Sequence, residues 1–248
     1  MSQTEWSGRH TGKDKLRGRI WSLLNSKGAS IGDSTGHIPD FVGAADAAAH
    51  LAQLQIWINA QIVKCNPDAP QIPVRLKALQ AGKTVYMAVP RLRDERCFVA
   101  LTAEALQTQG VPLDEAATVS GALKHGRLVH FDQMRPIDVV VVGCVAVSRL
   151  GGRTGKGAGF ADLELGMLRQ LGLVQLTTPI VTTVHDLQMV EAGELPMAAH
   201  DSPLDWVCTP SGSIETHTPY PRPAGLVWSS IRPEQFDSIP VLKKFAPL

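Results

Sequence analysis

The chain has 248 residues, 44% hydrophobic and 19% charged, and its 24 Lys and Arg against 23 Asp and Glu leave a formal net charge of +1. Ordinary apolar content with nearly cancelling charge excludes a disordered chain, and it gives no whole-protein attraction to nucleic acid or to an acidic membrane. The longest apolar run, 139–147, is about half of a bilayer span, and residues 1–10 hold no apolar signal core, so a cytoplasmic protein with no membrane partner is expected.

Residues 1–12 read as a tail. From Lys13 onward Leu16, Ile20, Leu23 and Leu24 recur at helical spacing, with Lys13, Lys15, Arg17 and Arg19 on the other faces. A loop over 25–43 precedes a second helix over 44–59, which places Ala47, Leu51, Leu54 and Ile58 on one side. A short strand is expected at 62–65, a proline-rich loop at 66–73, and a helix at 74–81 closed by Gly82. Strands follow at 84–89 and 97–101. Residues 137–147 read as one unbroken apolar strand, the kind buried on both faces of a parallel sheet. A glycine-rich loop leads to a helix over 160–170, and further strands are expected at 179–184 and 206–209.

This alternation argues a three-layer α/β/α domain with a mostly parallel sheet. No repeat or linker interrupts it. The last thirty residues carry six prolines and read as an extended arm on the same body, packed through Val227, Trp228, Phe236, Ile239 and Leu242. Cys65, Cys97, Cys144 and Cys208 form no CxxC pair and sit in apolar segments, as buried free thiols do. The eight histidines show no zinc spacing.

The most informative stretch follows the apolar run. Gly151, Gly152, Gly155, Gly157 and Gly159 lie between that strand and the next helix. Glycines let backbone N–H groups turn toward an anion, and a helix N-terminus adds partial positive charge. Arg153 and Lys156 add full charges. The combination describes a phosphate cradle, the alternative being a mobile surface loop. It matches neither GxxxxGK(S/T), which is absent, nor the dinucleotide fingerprint, whose third glycine would be Phe160.

Arg153-x-Gly155-x-Gly157-x-Gly159-Phe160-x-Asp162 resembles the RxGxGxGYYD signature of 5-formyltetrahydrofolate cyclo-ligases. Three further blocks follow the order of that family. Lys13-x-x-x-Arg17 is similar to its N-terminal KxxxR. Residues 78–91, which end in Pro90-Arg91, are similar to its helix, GK turn and strand. Pro196-x-x-x-His200-Asp201-x-x-Leu204-Asp205-x-x-x-Thr209-Pro210 is similar to its late block. Residues 36–43, 63–68, 90–93 and 155–164 resemble a divergent branch, the synthetase-domain-containing proteins. The resemblance covers 13–212, leaving 213–248 as the arm.

The resemblance implies the three-layer fold of the ribose-isomerase and CoA-transferase-like group. It also implies an enzyme that uses ATP and Mg2+ to close 5-formyltetrahydrofolate to the 5,10-methenyl form. Arg153, Lys156 and His200 would be catalytic. Lys13, Arg17, Arg91, Gly155, Gly157, Gly159 and Phe160 would bind the nucleotide, and Asp162 would hold the metal, directly or through water. Other readings of the same side chains stay open. Lys13 and Arg17 would then form a solvated basic helix face, Asp162 a helix cap, Arg91 a surface salt bridge, and His200 a loop anchor; His185-Asp186 is a weaker candidate for the same crevice.

The sequence departs from the signature at Phe160 and Ala161, which replace two tyrosines. It departs again at Gln71, which stands where the family has a carboxylate associated with the folate site. The branch includes paralogues linked to thiamin metabolism, so an ATP-using enzyme with a different substrate stays open. So does a nucleotide- or folate-binding protein without turnover. The expected partner is a small molecule, a reduced folate, acting on a monomer or homodimer. With no RNP-type aromatic motif and a charge of +1, nucleic acid is not expected.

Overall fold

The computed structural model of the chain describes residues 10–92 and 95–246, without the side chain of Arg91. Helix α1 (Thr11–Ser26) begins two residues earlier than expected, because the His10 side chain accepts the amides of Gly12 and Lys13 and caps it. The expected helix over 44–59 is two helices, α2 (Ala44–Ala52) and α3 (Gln55–Asn59). Leu54 takes an extended backbone between them at ψ 140 and turns the chain. Strand β1 (Ile62–Cys65) is followed by helix α4 (Ile72–Gln80), which starts early because Pro73 suits a first helical turn.

Strands β2 (Thr84–Ala88) and β3 (Phe98–Leu101) stand where expected. Residues 103–129 were not assigned from the sequence, and they form helices α5 (Ala103–Thr108), α6 (Leu113–Ala117) and α7 (Val119–His125), then strand β4 (Arg127–Val129).

The apolar run 137–147 is corrected by the structure. It breaks into β5 (Val139–Val141) and β6 (Ala146–Ser148). Only β5 belongs to the main sheet. After Gly143 the chain leaves that sheet, and β6 pairs with β7 (Arg153–Thr154) and β9 (Met189–Val190) in a small second sheet. Burial on all sides keeps the run apolar throughout, so hydropathy alone does not show the change of sheet. Helix α8 (Phe160–Gln170) follows the glycine loop. Strands β8 (Ile180–Thr183), β10 (Trp206–Thr209) and β11 (Gly212–Glu215) complete the main sheet, and a short helix α9 (Pro233–Ser238) lies in the C-terminal segment.

The main sheet has eight strands in the order β11-β10-β8-β5-β1-β2-β3-β4. Its five central strands, from β10 to β2, are parallel, and the outer pairings are antiparallel. Side chains alternate between two cores, as the strand period dictates. Val63, Cys65, Val85, Val139, Val141 and Val181 face the layer of α2 and α4–α7. Ile62, Tyr86, Val140, Ile180 and Val207 face α8 and the C-terminal segment. The fold is therefore the expected three-layer α/β/α arrangement around a mostly parallel sheet. Helix α1 packs Leu16, Ile20 and Leu24 on Val145 and Ala146 of the small sheet. All four cysteines are buried thiols outside any disulfide.

The C-terminal segment is less extended than its prolines suggest. Strand β11 straddles the expected start of the arm at residue 213. Ile239, Val241 and Leu242 enter the α8-side core, with Leu226, Trp228, Ile231 and Phe236 packed against it. Val227, expected among them, stays half-buried outside that set. No helix among the described residues is long and apolar enough to cross a membrane.

Candidate active site

Ligands of open parallel sheets lie at the carboxyl ends of the strands. Here those ends carry Asn66 and Asp68 after β1, Gly143 after β5, and Thr183 and His185 at and after β8. The glycine loop lies over the same ends, since Lys156 Nζ is 3.0 Å from Asp68 Oδ1.

The stem of that loop is held from inside. Arg153 is 3% exposed; its Nε donates to Ser202 O at 2.7 Å, and its Nη2 pairs with Asp162 Oδ1. Burial pushes the guanidinium pKa down, but Asp162 and Asp201 outweigh it and hold the value above that of an ordinary arginine. Asp162 Oδ1 also accepts the Ser202 N–H at 2.9 Å. Neither bond uses Asp162 Oδ2. Arg17 donates to Thr154 Oγ1 at 2.6 Å and Gly155 O at 3.3 Å, and pairs with Asp14. Lys13 Nζ lies 2.5 Å from Asp201 Oδ2. Burial raises the Asp201 pKa, and Lys13 more than reverses that, so the carboxyl sits below the usual range.

Of the expected site residues, Arg17, Arg153, Lys156 and Asp162 are thus gathered at one loop, and Lys13 joins them through Asp201. Lys13, Arg17 and Arg153 are not solvent-facing cations. Their charges are matched inside the protein: Arg17 and Arg153 brace the loop, and Lys13 holds Asp201 in the segment before β10. Asp162 is an anchor for Arg153 and Ser202, and the α8 N-cap is Gly159 with no side-chain cap. Phe160 packs against the α8-side core. His200 is half-exposed, with Nε2 3.7 Å from Asp201 Oδ1. Arg91 sits in a turn after β2, and its side chain lies outside the described residues. His185 Nδ1 accepts the Leu187 N–H, its ring meets Phe41 edge-on, and Asp186 is taken by Thr209 and Ser211.

Lys156 is the half-exposed cation of the loop, directed at Asp68. Beside it, the amides of Gly157, Ala158 and Gly159 donate to no protein acceptor among the described residues. Gly157 has φ +103 and Gly159 φ +76, so ordinary side chains would strain this backbone. Unused amides next to a lysine fit a phosphate group. No group of three or more His, Cys, Asp or Glu side chains is placed to hold a metal ion among the described residues. Mg2+ on a nucleotide needs only one or two carboxylates besides phosphate and water, and Asp162 Oδ2 leaves one available.

Near the strand ends, Lys64, Arg75 and Gly143 escaped the sequence reading, whereas Gln71 was marked in it. Lys64 on β1 is fully buried and pairs with Glu164 of α8, and its Nζ also donates to Asn66 Oδ1 at 2.5 Å. Arg75 Nη1 donates to Asn66 O at 2.5 Å and Asp68 O at 3.3 Å, fixing the turn that presents Asp68. Gln71 is fully buried with Nε2 3.4 Å from Thr183 Oγ1, and its Oε1 has no partner. A Cβ on Gly143 would lie 2.8 Å from Asp68 Oδ2 and 3.1 Å from Gln71 Oε1, so both oxygens flank that glycine. The visible signal was a lysine in the strand Ile62–Cys65 and a glutamate on the buried side of α8.

Comparison with known proteins agrees with this architecture. The chain is 40% identical over 233 residues to the methenyltetrahydrofolate synthase domain-containing protein of Mus musculus, covering 93% of this chain and 62% of that protein. The namesake from Danio rerio is 36% identical over 250 residues, covering 100% of this chain and 63% of its own length. The chain therefore spans about three fifths of the length of these curated relatives. The NMR structure of Aquifex aeolicus 5,10-methenyltetrahydrofolate synthetase aligns with a TM-score of 0.52 at 17% identity, over 84% of this chain and 95% of that one, which shows a shared fold. Residues 9–210 match the model of the 5-formyltetrahydrofolate cyclo-ligase family, and the chain belongs to that family.

Proposed function

We propose that the protein uses ATP and Mg2+ to convert 5-formyltetrahydrofolate to 5,10-methenyltetrahydrofolate. The observation that carries this reading is the glycine loop: unused amides at 157–159 beside Lys156, laid over the carboxyl ends of the parallel strands. ATP, when bound, supplies a phosphoryl group that turns the formyl oxygen into a leaving group. The protein's part is positioning and neutralising charge. Lys156 and the amides of 157–159 bind the phosphates. Asp162 holds Mg2+ through Oδ2, with Arg153 fixing the orientation of that carboxylate. Asp68 and Gln71, on either side of Gly143, border the space for the second substrate. Arg17 and Arg153 keep the loop in shape from behind.

The test is direct. Purified protein, 5-formyltetrahydrofolate, ATP and Mg2+ are mixed, and the near-ultraviolet absorbance of the methenyl product is followed against an ATP-free control. ATP-dependent growth is expected. A flat trace from a protein that still binds ATP would move the assignment to the second reading, an ATP-using paralogue acting on another substrate. Gln71 favours that reading specifically. A neutral carboxamide with a free buried oxygen presents different chemistry from a carboxylate, and thiamin-related compounds would be assayed next.

Two variants separate the halves of the site. Lys156→Ala is expected to weaken ATP binding about tenfold or more, because a charge-assisted contact is worth about 1.5–3 kcal/mol. Calorimetric titration reads it, and unchanged affinity would remove Lys156 from the cradle. Gly143→Ala is expected to raise KM for the folate about fivefold or more, since a methyl forced into filled space costs about 1–3 kcal/mol. Because Asp68 also holds Lys156 at 3.0 Å, ATP affinity should fall as well, but by less than in Lys156→Ala, and steady-state kinetics with each substrate varied in turn checks both.

A further inference from the structure

The glycine loop is held on one side by the C-terminal segment, which lies beyond the residues matched by the family model. Gln235, 4% exposed, donates from Nε2 to Ala158 O at 2.7 Å. Its Oε1 accepts the Arg232 N–H at 2.9 Å and so closes the first turn of α9. One carboxamide therefore caps its own helix and grips the loop. Arg232 Nη2 reaches Ala158 O at 3.0 Å and Gly157 O at 3.3 Å. The approach depends on Gly159, where a Cβ would lie 2.6 Å from Gln235 Nε2.

All three contacts fall on carbonyls, and that decides which way the amides face. In a trans peptide the N–H points opposite to the C=O of the same plane. The Gly157 carbonyl shares a plane with the Ala158 N–H, and the Ala158 carbonyl with the Gly159 N–H. With both carbonyls bound on the C-terminal side, the Ala158 and Gly159 amides are aimed away from it. They are two of the three loop amides, at 157–159, that find no protein acceptor among the described residues. Ile239, Val241 and Leu242 seat the segment in the core, so the grip comes from a fixed support.

We propose that Arg232 and Gln235 are positioning residues for the phosphate-binding loop: they orient the peptide planes at 157–159 so that the amides of Ala158 and Gly159 face a bound anion. This rests on the nucleotide reading above. It assigns to the C-terminal segment a role in the reaction beyond completing the core. The match to the Danio rerio relative covers the whole chain and so includes this segment.

The decisive variant is Gln235→Glu in the full chain. It keeps the oxygen that caps α9, since glutamate is a favoured residue at that helix position. It replaces the N–H donor by an oxygen that repels the Ala158 carbonyl. Three readouts are taken: the NMR carbonyl-carbon shift of Ala158, which reports the hydrogen bonds that oxygen accepts, equilibrium binding of ATP with Mg2+, and the separate kinetic constants. The Ala158 carbonyl resonance is expected to move toward that of an unbonded carbonyl, in keeping with one lost hydrogen bond. ATP affinity should fall and KM for ATP should rise about fivefold to tenfold, with kcat within about twofold. Arg232→Lys should show a smaller change in the same direction.

An unchanged Ala158 carbonyl shift in folded Gln235→Glu overturns the grip. A changed shift with unchanged ATP affinity overturns the positioning role. So does a parallel loss of kcat and affinity that tracks a lowered melting temperature, which is what a purely structural residue would give. If the unaltered chain binds no ATP, the nucleotide reading itself fails and takes the positioning role with it, while the carbonyl shift still reports on the grip.

Discussion

An Arg153→Met variant is expected to unfold about 3–5 kcal/mol more easily than the unaltered chain, the cost of removing one partner from a buried charge pair. The guanidinium is enclosed and joins three segments. It extends from β7, holds Asp162 in the first turn of α8, and donates to Ser202 in the loop before β10. Methionine fills a similar volume but leaves the Ser202 carbonyl without its donor and Asp162 without its cation. The measurement is a denaturant titration read at the midpoint with an unchanged slope. Asp162→Asn is expected to cost less, since an amide oxygen still accepts the Ser202 N–H. Loss of ATP affinity in Arg153→Met should appear together with the loss of stability, through the slackened loop. A variant as stable as the parent but unable to bind ATP would show instead that Arg153 meets the phosphates directly.

The parts of the fold that the sequence revealed are those where one periodicity governs a whole element. Strands β1, β2, β8 and β10 and helix α8 announce themselves through runs of buried side chains between turn signals. The region 103–129 does not, because its helices are five to seven residues long, too short to show a periodic face. The split of 137–147 was illegible for a different reason. Val139 to Val141 and Ala146 to Ser148 are equally buried, and hydropathy does not say which sheet buries them. At the site, the glycine spacing marked the loop whose amides at 157–159 find no protein acceptor among the described residues. What it could not show was that Arg17 and Arg153 face inward, since a cation looks the same in sequence whether its partner is a ligand or Asp14 and Asp162. The grip of Gln235 on Ala158 joins residues 77 apart, and nothing local in either segment predicts it.

Lys64→Met is expected to be as damaging as Arg153→Met, about 3–5 kcal/mol at neutral pH, with a distinctive pH dependence. Lys64 and Glu164 form an ion pair between the central strand β1 and α8, with essentially no solvent contact. Burial raises the Glu164 pKa and Lys64 pulls it back only in part, so the folded carboxyl sits above the ordinary glutamate value. A carboxyl whose pKa is raised on folding contributes its stability below the unfolded value and loses it as pH rises through the folded value. Without Lys64 the pull downward is gone and that loss extends to higher pH. Lys64→Met should therefore be least harmful near pH 5 and worsen toward pH 8, and denaturant titrations across that range would show it. A destabilisation independent of pH would mean that Glu164 does not carry the penalty. Replacing both partners, as Lys64→Met with Glu164→Leu, should restore stability to within about 1 kcal/mol of the parent, because an apolar pair of similar volume replaces a buried ion pair at little cost. That double variant also isolates function. It lacks the Lys64 ammonium that holds Asn66 Oδ1 at 2.5 Å, one step before the turn presenting Asp68. It should fold normally yet turn over about tenfold more slowly, the expected price of one charge-assisted contact in a positioned site. Full activity in a stable double variant would reduce the pair to a structural link between sheet and helix.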